Sequence, residues 1–99
     1  MNIFDTLQFN PSKPSILIVR KSETIKMFCV GLLKDQILAK HQAKVPSMLI
    51  VLKGKIKFSI SGEDIVMPES QTFQIPLNTD HEVTGLSEQN IFLITQELI

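Results

Sequence analysis

Apolar residues in this chain come in short runs rich in β-branched side chains, and each run is soon ended by glycine, proline or a polar turn. No segment of ten or more residues keeps a helical period. Such punctuation excludes helix bundles and sheets built with crossover helices, and it leaves antiparallel β structure. The runs are Ile16 to Val19, Ile25 to Leu33, Ile37 to His41, Met48 to Leu52, Lys55 to Ile60, Ile65 to Met67, Thr72 to Ile75, His81 to Thr84 and Ile91 to Gln96. Eight or nine strands so closely spaced predict an all-β antiparallel sandwich or barrel.

Individual runs say which way side chains face. Ile56, Phe58 and Ile60 alternate with Lys55, Lys57 and Ser59, so the first three are expected in the core. Ser61-Gly62-Glu63-Asp64 reads as the turn that follows, with Gly62 free to take a positive φ. Met48 to Leu52 is different. Leu49 and Val51 point one way and Met48, Ile50 and Leu52 the other, so both faces need cover. Ile91-Phe92-Leu93-Ile94 repeats the pattern. A small barrel covers only the inner face. A homodimer is therefore expected, with the segment before Pro14 as the competing cover.

That segment is set apart by Asn10-Pro11-Ser12-Lys13-Pro14, which suits neither mid-helix nor mid-sheet. Residues 1–14 read as an N-terminal leader arm, with Ile3, Phe4, Leu7 and Gln8 on one face of a helical turn. Residues 15–99 read as a single barrel domain. The arm has no basic start followed by an apolar stretch, so no secretory signal is expected. The longest strictly apolar run is five residues, against the roughly 20 of a membrane helix. Ten Lys and Arg balance ten Asp and Glu, which argues against nucleic acid as a partner. A cytoplasmic protein without a membrane partner is expected.

Few residues carry obvious chemistry. There is no glycine-rich phosphate loop, no nucleophile elbow and no paired-histidine zinc helix. Cys29, the single cysteine, rules out an intrachain disulfide and a cysteine zinc framework. Its setting, Met27-Phe28-Cys29-Val30, predicts a buried inert thiol. His41 and His81 each stand where an extended run meets a loop. Two such imidazoles in one small chain are candidate ligands for a metal or a small molecule. Lys53, Lys55 and Lys57 alternate with apolar residues. They read first as a solvated strand face, and otherwise, with Lys40 and Lys44, as a positive rim favouring anions.

At this point the chain resembles a small single-domain cupin. Val51-Leu52-Lys53-Gly54-Lys55-Ile56-Lys57-Phe58-Ser59-Ile60-Ser61-Gly62-Glu63 is similar to that family's glycine-rich hairpin, and His41 stands thirteen residues before Gly54, as the first motif asks. Pro76-Leu77-Asn78-Thr79-Asp80-His81 is similar to P-x-G-x-x-H, with Asn78 for the glycine. Asparagine is a mild replacement where φ is positive. The resemblance implies a double-sheet jelly-roll barrel with an internal pocket around His41 and His81.

The family's other metal ligands are missing. Ala43 stands for the second histidine and Ser47 for the glutamate; outside the metal set, Gly85 stands for the motif asparagine after His81 and Ser70 for the second motif's opening glycine. Glu82 adjoins His81 but should face the other way. Two imidazoles fall short of a full set, with Gln74, Gln36 or Ser47 as neutral oxygens to extend it. The resemblance thus implies a pocket of His41, His81, Gln74 and Ser47 for a small polar or anionic ligand. It allows one weakly held divalent metal (iron, manganese, zinc or nickel) on His41 and His81. The alternative is a metal-dependent isomerase, decarboxylase or dioxygenase acting on a small metabolite.

Overall fold

All nine expected strands form in the computed structural model, which describes residues 1–99. They are β1 (Ser15–Lys21), β2 (Ile25–Leu33), β3 (Ile37–His41), β4 (Ser47–Lys53), β5 (Ile56–Ile60), β6 (Glu63–Met67), β7 (Thr72–Ile75), β8 (His81–Gly85) and β9 (Gln89–Glu97). One five-stranded sheet runs β1-β2-β9-β4-β7 and one four-stranded sheet runs β3-β8-β5-β6. Every pairing is antiparallel, and the two sheets face each other as a jelly roll.

Turn chemistry explains the hairpins. Ser61 and Gly62 take φ of 52° and 76°, the consecutive positive values that let β5 turn straight into β6. Asn78 takes φ 56°, as expected for a glycine substitute before His81. Ser70 takes φ 73° although it is not glycine.

Ile56, Phe58 and Ile60 are buried, while Lys57 and Ser59 between them are only partly covered. They join Val30, Leu32, Leu49, Val51, Met67, Val83 and Phe92 between the sheets. A polar lock closes one end of this core. Asn90 is fully buried; its Oδ1 accepts from Lys55 N and Ser87 N, and its Nδ2 donates to Leu32 O and Ser87 O. Gly54 turns beside it at φ 77°, where a Cβ would lie 2.5 Å from Asn90 Oδ1.

Part of the outer face of the five-stranded sheet is covered from within the chain, while Met48 on β4 stays 44% exposed. Leu7, Cys29 and Ile91 are buried there, with Ile3, Phe9, Leu17, Val19, Leu52 and Leu93 around them. The second apolar parity of β4 and β9 thus lies partly under the leader arm. A single helical turn, α1 (Ile3–Thr6), starts the arm, and Asn2 Oδ1 caps it by accepting from Asp5 N. Ile3 and Leu7 share the packed face, but Phe4 and Gln8 do not and stay exposed. One turn of helix is too short to line up all four. Gly31 gives Leu7 room: a Cβ there would lie 2.5 Å from Leu7 Cδ2.

One apolar strip stays open. Ile16 and Ile18 pair with Val30 and Phe28, so they belong to the inner face. They are nevertheless 53% and 48% exposed, because the facing sheet has one strand fewer and leaves β1 overhanging.

Candidate functional site

At one end of the barrel the sheets enclose a cavity of about 530 Å³. On the five-stranded sheet the inner face presents two rows there. Lys21, Lys26, Gln96 and Ser47 pair in turn across β1, β2, β9 and β4 to make a polar row at the mouth. Below it Phe28, Ile94 and Leu49 make an apolar row. On the facing sheet His41 pairs with His81, and Leu38, Val83 and Phe58 lie below them. Bulges re-aim two of these side chains. An irregularity between Ile18 and Arg20 places Lys21 opposite Lys26, and another between Leu38 and His41 places His41 opposite His81.

Forty residues apart in sequence, the two imidazoles have ring centroids 4.4 Å apart. His81 is 3% exposed and stacks on Phe58 with centroids 5.1 Å apart. Its Nδ1 lies 3.1 Å from Thr79 O, and His41 Nδ1 lies 2.8 Å from Ala39 O. A carbonyl only accepts, so each Nδ1 carries a proton, and wherever the ring is neutral Nε2 keeps the lone pair. Burial holds His81 below the ordinary value of 6.5. The Thr79 carbonyl opposes that, His41 adds to it, and Asp80 opposes it. His81 is thus a neutral imidazole at physiological pH.

Loops hold the pair in place. Asn78 N donates to Ala43 O, and Gln42 Nε2 donates to Asp80 Oδ1 at 2.9 Å. The stretch after His41 is thereby laced to the stretch before His81.

Ser47 is buried on the cavity wall; its Oγ donates to Val45 O and accepts from Gln96 Nε2. Gln74 does not join it. Its neighbour Ile75 turns inward, so Gln74 stands exposed on the outer face beside Met48 and Thr95. Gln36 is also elsewhere: it accepts from Leu33 N and donates to Asn10 O, tying the β2–β3 turn to the arm. Glu82 lies on the outer side with Lys40 and Asp64. Cys29 is sealed under the arm, and burial pushes its thiol up. Of the suspected lysine rim only Lys44 reaches the cavity, where it is joined by Lys21 and Lys26. Lys26 was legible, because it shares the parity of Phe28 and Val30. Lys21 was not, because nothing in the sequence marks the bulge before it.

No third His, Cys, Asp or Glu stands with the imidazole pair to complete a metal site. Ala43 and Ser47 occupy the cavity wall instead, and the charged side chains that line the cavity are lysines. This donor set does not fit a resident divalent ion, which takes at least three good ligands.

Comparisons with known proteins bear on the fold. The chain is similar to the structure of KdgF from Halomonas sp., with a TM-score of 0.85 and 17% identity over 100% of this chain and 93% of that one. It is similar to an RmlC-like cupin protein from Desulfovibrio desulfuricans, with a TM-score of 0.84 and 20% identity over 97% and 93%. It is also similar to a conserved protein with a double-stranded β-helix domain from Klebsiella pneumoniae, with a TM-score of 0.88 and 12% identity over 98% and 87%. No family model and no curated protein matches the sequence.

Proposed function

Taking the chain as a barrel with the cupin fold, we propose that it is a binding module that holds a small polar or anionic ligand inside the barrel. The observation that carries this is the buried His81. Its proton is committed to Thr79 O, and its ring is braced by Phe58 and His41 beside a cavity of about 530 Å³. Keeping an imidazole in a dry wall costs hydration, and a ligand that hydrogen-bonds Nε2 offsets that cost. The volume falls within the roughly 300–1,000 Å³ typical of small-molecule pockets. We place the protein in the cytoplasm, in keeping with its lone free thiol.

The test is nitrogen NMR of the two histidine rings against a set of small carboxylates, amino acids, sugars and nucleosides. We expect at least one compound to shift the Nε2 signals of both rings in a saturable, one-to-one manner. A set that leaves both rings unmoved overturns the proposal.

A second copy of the chain is the other proposed partner. Its support is the overhang of β1, where Ile16 and Ile18 face inward yet stay about half exposed. Two copies share the same gap, and a twofold arrangement closes both at once.

A further inference from the structure

We propose that the ligand is a carboxylate with an apolar body, its anion held by the lysines at the mouth and its body seated on the floor. The inference rests on the cavity being a ligand site, as proposed above, and it names the ligand's class.

Charge is the first argument. Lys21, Lys26 and Lys44 line the cavity, and no aspartate or glutamate does. Lys21 and Lys26 are register partners, a placement in which like charges repel. Neither is relieved within the chain. Lys26 Nζ lies 5.0 Å from the Phe28 ring centroid, a weak substitute for a counter-ion. Lys44 Nζ donates to Gln42 Oε1, while the nearby carboxylate of Asp80 accepts from the other end of that same glutamine. An anion at the mouth gives all three lysines what the chain withholds.

Layering is the second argument. Polar groups are confined to the mouth: the row from Lys21 to Ser47 on one sheet and the two imidazoles on the other. Two residues further down each strand, about 7 Å deeper, the walls are Phe28, Ile94, Leu49, Val83 and Phe58. A ligand bearing hydroxyls all round would leave some of them unpaired against that floor. A ligand with one charged end matches both layers. Its carboxylate lies on the lysine wall, and a water bound to it donates to the Nε2 lone pair that His81 presents from the opposite wall, which the carboxylate, itself an acceptor, cannot satisfy directly.

The probes are octanoate, its neutral analogue octanamide, and gluconate, a carboxylate with a hydroxylated body. Each is titrated into the intact protein by calorimetry, with the histidine signals followed by NMR. We expect one octanoate per chain, bound at least about tenfold more tightly than either comparator, a gap of about 1.4 kcal/mol. Lys21→Gln, Lys26→Gln and Lys44→Gln together should bring octanoate down to the octanamide level and leave octanamide unchanged. Denaturation of that variant checks folding, and its stability should not fall, since a repulsion has been removed. Octanamide binding as well as octanoate overturns the anion, and gluconate binding as well overturns the apolar body. Octanoate binding that leaves both imidazoles unmoved overturns the site. If the histidines respond only to other members of the wider set, the class is wrong and the binding module stands. If they respond to nothing, both fall.

Discussion

Burial makes His81 a pH-sensitive element of stability. Its folded pKa lies below the ordinary 6.5, so between the two values the unfolded chain binds more protons than the folded one. The contribution of this residue is complete above 6.5 and is lost as pH falls from there through the folded value. Urea denaturation at about pH 7.5 and about pH 5.5 should show that loss in the native chain. A His81→Phe variant should show less of it, and equal slopes would contradict the assignment. Phe58 is the platform beneath this imidazole and also touches Phe73 at 4.9 Å between centroids. Phe58→Ala should cost about 3–5 kcal/mol, the range for emptying a buried aromatic site. A cost under about 1 kcal/mol would mean that the inward face of β5 is misassigned.

Pairs of strands are where a turn and a buried polar group act as one device. Gly54 ends β4 in a left-handed turn, and the space a side chain would need is filled by Asn90 and by Gln89 O. Gly54→Ala should therefore destabilise beyond the roughly 1 kcal/mol of the backbone conformation alone, as read by the chemical-denaturation midpoint. The glycine is legible in sequence because it interrupts an alternation. Asn90 is not, since a polar residue just before an apolar run looks like loop. Strands themselves are legible for a simple reason: with a period of two, a few residues suffice to fix both direction and face. Gln74 should have been read outward on that ground, because Phe73 and Ile75 flank it with apolar side chains. Bulges break the same logic. The one in β1 puts Lys21 inside, and the one in β3 sets His41 against His81. No residue type announces either, so only the motif spacing pointed to the histidine pair.

Across the whole molecule, two apolar surfaces met different fates. The arm took over the outer face of β9 at Ile91 and Leu93 and of β4 at Leu52, while Met48 and the strip on β1 stay open. If a second copy covers Ile16 and Ile18, light scattering in about 0.5 M salt should give twice the 11.2 kDa chain mass. Ile16→Lys with Ile18→Lys should return the mass to that of one chain. A native mass of 11.2 kDa would leave the strip uncovered and end the dimer proposal. The arm has a consequence of its own. It lies over the only sulfhydryl in the chain, so the rate at which a thiol reagent modifies Cys29 becomes a clock for how often the arm lifts. Leu7→Ala should speed that clock while leaving the barrel folded. The native protein thus carries its own kinetic reporter of opening, with no label added.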